Sequence, residues 1–335
     1  MAGDRRENPT TYGGLAPEAA LGLVGNDVRA EILWALSDAR EDDGPPALSF
    51  SELRERVRER REARADPREI AEGAPDADSS QFNYHLQQLV GHFVERRGED
   101  GTADAQLVAE MAGDHGEGYA LRPEGTILTR TVRSLTFAGD ASIDPFPVGL
   151  ECYYCGAGVE AAYANGICKL QCPDCEYLYD YNLTPPGVVA DDRDAVLERV
   201  AKYNRHVRAA FADGVCPYCA GSVETTFKDP TETGYPGRDR RVAVIHRACT
   251  HCGNMDNLTA GEAVLGDPEL AAFCHGHGVD VGETPIWELE FAATDRHTTV
   301  RSRDPWVVAV EVSFGDDGLE LVVDESLDVV ERTRT

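Results

Sequence analysis

Apolar side chains recur at steps of three and four along PEAALGLVGNDVRAEILWAL, where Leu21, Val24, Val28, Ile32 and Leu36 share one stripe and predict one amphipathic helix. EDDGPPA breaks the pattern. LSFSELRERV begins a second helix, with Ser49 or Ser51 as its cap and Leu53 and Val57 turned inward. Residues 58–78 are dense in charge and contain Pro67 and Pro75, which predicts a solvated helical extension and a loop. A third helix follows over SSQFNYHLQQL, capped by Asp78, Ser79 or Ser80, with Phe82, Leu86, Leu89, Val90 and Phe93 on its buried side. FVERR and GYALRPEG predict two strands around a long acidic loop, and TILTRTVRSL opens a fourth helix.

Further along, DRDAVLERVAKYNRHVRAAFADG places Val196, Val200, Tyr203, Val207 and Phe211 on one face of a long helix. TAGEAVLGDPELAAFCHGHG predicts another helix. From Ile286 to Glu331 the alternation of apolar and polar residues predicts three or four strands, with Asp316-Asp317-Gly318 in a turn. The fold class expected is therefore α+β. The divisions are a disordered lead-in over 1–16, a helical domain with a two-stranded wing over 17–135, cysteine-rich modules over 148–186 and 213–262 joined by a helix over 190–212, and an α+β region over 263–332.

Charge changes the picture of the surroundings more than that of the fold. Acidic residues outnumber basic ones 60 to 32, for a net charge of -28, and Lys169, Lys202 and Lys228 are the only lysines. Acid excess with scarce lysine is similar to the proteins of salt-in halophiles such as haloarchaea. In molar salt the Debye length falls to roughly 3 Å, which screens both self-repulsion and repulsion from DNA. An acidic protein that binds basic partners is the alternative. No run approaches a membrane span, and MAGDRRENPTTYGGLAPEAA lacks a signal-peptide core, so a cytoplasmic protein without membrane contact is expected.

Ten cysteines in such a chain point to metal rather than disulfides. Cys152-x2-Cys155 pairs with Cys172-x2-Cys175, and Cys216-x2-Cys219 with Cys249-x2-Cys252. Two C-x2-C turns brought together by a short hairpin supply four thiolates, the tetrahedral shell of a structural Zn2+ site. Two zinc ribbons are expected, with iron as the alternative metal. CYYCGAGVEA and CPYCAGSVET align as an internal repeat, and the glycines after Cys155 and Cys252 suit the turn backbone. A full thiolate shell leaves no open position, so the metal is expected to be structural. Cys168 is expected as a small buried hydrophobe or a substitute ligand for Cys172, and Cys274, His275 and His277 as a helix end or a third metal site.

The order of helix, helix, helix, two-stranded wing and helix is that of a winged helix-turn-helix. FSELRERV, SSQFNYHLQQLVGHFVERR and GYALRPEG resemble the ArsR-like winged-helix regulators, particularly the haloarchaeal branch that carries cysteine-rich C-terminal modules. The likeness covers residues 15–135 and is most specific at His85-Leu86-x-x-Leu89 and the apolar-to-basic strand after it. The insertion near 58–77 and the long acidic wing tip near 98–117 depart from it.

The resemblance implies a transcriptional regulator that binds double-stranded DNA, and a homodimer matching palindromic sites. In helix-turn-helix geometry the base-reading positions are Ser79, Ser80, Gln81, Asn83, Tyr84 and Gln87. Arg96 and Arg97 suit phosphate contact, and His85 holds the helix in its domain. A winged helix before a zinc ribbon is also similar to the transcription factor E alpha subunit, so a transcription-machinery factor without sequence specificity is the alternative. No G-x-S-x-G, P-loop, G-x-G-x-x-G or H-E-x-x-H occurs, and no enzyme is expected.

Overall fold

The computed structural model describes residues 15–39, 47–64, 79–97, 117–135, 141–233 and 238–335. The chain divides into two compact units, Met1–Thr136 and Phe137–Thr335, and the fold is mixed α+β with antiparallel sheets.

In the first unit, the stripe from Leu21 to Leu36 is interrupted. Helix α1 spans Pro17–Val24 and α2 spans Asp27–Asp38. The break is local chemistry: the Gly25 N–H closes the first helix on the Leu21 carbonyl, and the Asn26 side chain accepts from the Arg29 N–H to start the second. Stripe continuity across a Gly-Asn pair was the wrong expectation. Leu21 is left exposed, and α1 fully buries none of its residues.

Helix α3, Phe50–Arg64, starts with a reciprocal cap. The Glu52 N–H donates to Ser49 Oγ at 3.3 Å, and the Ser49 N–H donates to Glu52 Oε2 at 2.9 Å. The helical extension predicted past Val57 runs to Arg64, and the loop predicted beyond it lies outside the described residues. Its arginines reach α2, where Arg60 Nε donates to Glu31 at 2.9 Å and Arg64 pairs with the same carboxylate.

Helix α4, Ser79–Leu89, is followed by strand β1, Val94–Arg97, which pairs antiparallel with β2, Gly118–Leu121. Leu48 adds an isolated bridge to Tyr119, with both backbone hydrogen bonds formed at 2.8 and 2.9 Å. Helix α5, Pro123–Leu135, closes the unit. Ile32, Leu36, Leu53, Phe82, Leu86, Leu89 and Val94 form its core. The lead-in through residue 14, the insertion after Arg64 with Asp78, and the hairpin tip over 98–116 lie outside the described residues.

The second unit holds three antiparallel sheets. Strands β3 (Ile143–Glu151), β4 (Gly158–Ala164), β5 (Ile167–Gln171) and β6 (Leu178–Leu183) form the first, in chain order. Helix α6, Arg193–Ala212, is capped by Asp192 and leads to β7 (Val223–Lys228), β8 (Val244–Cys249) and β9 (Met255–Leu258).

Instead of one helix after β9, a four-residue helix α7, Ala260–Ala263, precedes α8, Pro268–Gly276. The Asp267-Pro268 step explains the break, because proline cannot continue a helix and Asp267 caps the new one through the Glu269 and Leu270 N–H groups. Ile286–Glu288 and α9, Glu290–Ala293, are helical where strand was expected. After them, where three or four strands are predicted from Ile286 on, four strands form a meander: β10 (Thr298–Arg303), β11 (Trp306–Phe314), β12 (Asp317–Asp324) and β13 (Val329–Arg334).

The buried stripe of α6 also differs from the expected one. Val196, Val200 and Phe211 are buried, but the positions between them are Asn204 and Arg208, while Tyr203 and Val207 are half-buried. Arg208 is a hub. It donates to Asp180 on β6 at 2.7 Å, pairs with Glu262 on α7, and lies 3.8 Å from Asp256 on β9. Asn204 also bonds Asp180. Helix α6 thus ties together both cysteine modules through buried charge rather than through an apolar seam alone. Burial pushes the Asp256 carboxyl up.

Candidate metal centres

Each cysteine module presents two tight turns at the end of its sheet. In the first, Cys152–Cys155 joins β3 to β4 and Cys172–Cys175 joins β5 to β6. In the second, Cys216–Cys219 precedes β7 and Cys249–Cys252 joins β8 to β9. All four turns repeat one hydrogen-bond pattern. The residue after the second cysteine donates to the carbonyl of the first: Gly156 to Cys152 at 2.8 Å, Glu176 to Cys172 at 3.0 Å, Ala220 to Cys216 at 2.9 Å and Gly253 to Cys249 at 3.1 Å. That residue sits in the left-handed region each time, with φ of 79°, 57°, 56° and 74°. The two glycines expected there are present, and Glu176 and Ala220 adopt the same geometry without glycine's freedom.

The eight sulfurs gather into two groups of four, each with its ligand atoms within 4.8 Å of one another. Cys152 Sγ is 3.6 Å from Cys175 Sγ, and Cys155 Sγ is 3.5 Å from Cys172 Sγ. The second group repeats this, with 3.6 Å between Cys216 and Cys252 and 3.5 Å between Cys219 and Cys249. A disulfide needs about 2.05 Å. A tetrahedral shell with metal–sulfur bonds of about 2.3 Å has edges of about 3.8 Å. The quartets therefore fit a metal ion and do not fit disulfides.

The first cysteine of every turn is buried, whereas the second is half-buried or exposed. Burial opposes ionisation of Cys152, but donation from the Tyr179 hydroxyl and from the Tyr154 and Cys155 backbone outweighs it and lowers the thiol to about 6. Cys249 is likewise lowered to about 6, where burial is outweighed by the Cys252 and His251 N–H groups. Burial pushes Cys172 and Cys219 up to about 12. A metal bound to either quartet would hold its four sulfurs as thiolates and release their protons.

Tyr179 was missed by the sequence reading. Its hydroxyl donates to Cys152 Sγ at 3.2 Å and accepts from the Tyr153 N–H at 2.8 Å. The Tyr177-x-Tyr179 alternation after the second turn was its signal, since residues two apart share a face of a strand. Tyr177 turns the same way and donates to the Ala293 carbonyl at 2.9 Å, anchoring the first module to the C-terminal region.

The two cysteines outside the quartets are both buried. Cys168 lies on β5 with its thiol pushed up to about 12 by burial, and Cys172 takes the ligand position. Cys274 is fully buried, His275 is exposed, and the His277 ring stacks on Phe314 at 4.7 Å. Among the described residues no third ligand group forms there.

A family model for a domain of unknown function, DUF7351, matches residues 149–329, more than half of the chain. The chain belongs to the DUF7351 family. The DUF7351 segment contains both quartets, α6 and most of the C-terminal meander. A second domain of unknown function, DUF7347, matches 17–66 and 68–132, within the first compact unit. No curated protein and no solved structure matches the chain.

Within the DUF7347 segment, the structure places the residues predicted to read DNA on one exposed side of α4. Ser79, Ser80, Gln81, Asn83, Tyr84 and Gln87 are exposed, Tyr84 by 60%. Phe82, His85, Leu86 and Leu89 are buried on the other. His85 is lowered from its usual value, chiefly by burial and then by the Arg29 charge. Arg96 on β1 is exposed, while Arg97 is half-buried and pairs with Glu95 at 2.7 Å.

Proposed function

We propose that the chain is a DNA-binding transcriptional regulator: an ArsR-like winged helix-turn-helix followed by two structural zinc ribbons, suited to a halophilic archaeal cytoplasm. The observation that carries this reading is α4. It buries an apolar face against α2 and α3, exposes six neutral hydrogen-bonding residues together, and runs directly into an antiparallel hairpin. Exposed residues at the start of a recognition helix reach base edges in the major groove. Asn83 and Gln87 can bond adenine bidentately, Ser79, Ser80 and Gln81 can bond phosphates or base edges, and Tyr84 can pack on either.

The face of α4 carries neither Lys nor Arg. In molar salt, phosphate attraction contributes little because the electrostatic component falls steeply with salt. Recognition by neutral groups fits that environment and the net charge of -28. The thiolate quartets would hold Zn2+ without an open position, which supports a structural rather than catalytic metal. Iron would fit the same shell, and metal analysis with an absorbance spectrum separates the two.

The test is footprinting of the metal-loaded protein on genomic fragments in molar potassium chloride. Discrete protected sites are expected. Asn83→Ala and Gln87→Ala should each weaken them by about tenfold, the loss of one bidentate base contact. Absence of protected sites, with capture of RNA polymerase instead, would overturn the regulator and favour the transcription-machinery factor.

A further inference from the structure

The second unit contains a cleft of about 860 Å³ between the C-terminal half of α6, the α7–α8 turn and the loop before Ile286. That volume is within the range of small-molecule sites. Ala209, Ala212, Val264, Ala271, Val281 and Ile286 supply apolar wall. Four carboxylates also line it, and three are already engaged. Glu262 pairs with Arg208, Asp267 pairs with Arg332 at 2.5 Å and caps α8, and Asp280 accepts from the Gly282 N–H at 2.8 Å. Asp213 lies in the exposed turn that ends α6.

Two arginines line the cleft: Arg208 is paired with Asp180 and Glu262, and Arg205 has no ion-pair partner among the described residues. The Arg205 guanidinium donates to the Thr284 backbone carbonyl. Its Nε is buried with no hydrogen-bond partner. Burial lowers its affinity for its own proton, although Glu283 and Asp280 oppose this from a distance. Among the described residues no carboxylate comes within ion-pairing distance of it. A guanidinium offers five donors in a planar fork that matches a carboxylate. An unsatisfied buried donor is costly, and pairing it with an anion recovers that cost.

We infer that this cleft is a binding site for a small organic acid with an apolar body, whose carboxylate pairs with Arg205 while its hydrocarbon portion lies along the alanine, valine and isoleucine wall. The inference concerns the second unit alone and holds whether or not the first unit binds DNA.

The experiment is isothermal titration calorimetry on the full, metal-loaded chain with decanoate, 2-naphthoate and the uncharged decanamide. Saturable binding of one acid at one site is expected. Decanoate binding alone indicates an aliphatic ligand, and 2-naphthoate binding alone an aromatic one. Decanamide should bind at least about tenfold more weakly than decanoate, the consequence of losing one charge-assisted pair. Arg205→Gln should cause a similar loss with metal content unchanged. Ala272→Trp, a substitution at an exposed lining position, should block binding by filling the cleft. No saturable binding of either acid, or equal binding by decanamide and by Arg205→Gln, overturns the inference.

Discussion

Gly253→Ala isolates the backbone contribution of a metal turn. Gly253 has φ of 74°, and a Cβ built there meets no heavy atom within 4 Å, so the substitution adds no clash. What remains is the left-handed conformation, which costs an L-residue about 1–2 kcal/mol. Stiffening of the unfolded chain offsets part of that, which leaves a net loss of about 1 kcal/mol. Ala220 occupies the equivalent position of another turn with φ of 56°, so Ala220→Gly should act in the opposite direction by about 0.5 kcal/mol. Gly187→Ala is the control, because its added Cβ also meets nothing but its φ is not positive. Where metal binding and folding of a module are coupled, a cost in the folded turn weakens metal binding by the same amount, so chelator competition reads these energies. Gly253→Ala should weaken metal binding about fivefold, Ala220→Gly should strengthen it about twofold, and the control should leave it unchanged. Equal metal affinity for Gly253→Ala and wild type, or weaker binding by Ala220→Gly, would refute the account of these turns.

Three further outcomes follow from the same structure. Stripping both metals should unfold the cysteine modules, since structural zinc sites contribute on the order of 10 kcal/mol each, while the helical circular-dichroism signal of the cysteine-free Met1–Thr136 unit persists. Gly261→Ala should prevent stable folding of the second unit, because a Cβ there would lie 1.8 Å from the Phe291 carbonyl oxygen; denaturant unfolding should show a loss well above that of a surface substitution. Burial, and then the Arg29 charge, lower the affinity of His85 for a proton, so its contribution is full above its unfolded value of about 6.5 and declines as pH falls below that value. Below about pH 6.5 the first unit should lose thermal stability on acidification, and His85→Gln should flatten that slope.

The elements legible in the sequence were those with one strong local signal. Helix α4 was readable from Phe82, Leu86 and Leu89, and its exposed set followed from the same spacing. The metal quartets were readable because C-x2-C is both a turn and a ligand pair, so one pattern encodes the conformation and the chemistry. Breaks were harder. Gly25-Asn26 and Asp267-Pro268 are strong caps set inside apolar stripes that continue on either side, and periodicity alone reads through them. Asn204 and Arg208 were illegible for another reason. A polar residue on an amphipathic helix is assigned to solvent unless its partners are known, and Asp180 and Glu262 lie far away in sequence. Arg205 was hidden in the same way, as one more charge on α6 until the cleft beside it is seen.

The Arg208 hub should make the two candidate metal sites thermodynamically dependent on each other. Asp180 stands on the strand that leaves the first quartet and Asp256 on the strand that leaves the second, and a single guanidinium serves both. A module that lost its ion and melted would withdraw its carboxylate from Arg208 and leave the buried charge network around the other incomplete, which destabilises that other module. The ions would then depart together, and rising chelator should give one steep release curve rather than two.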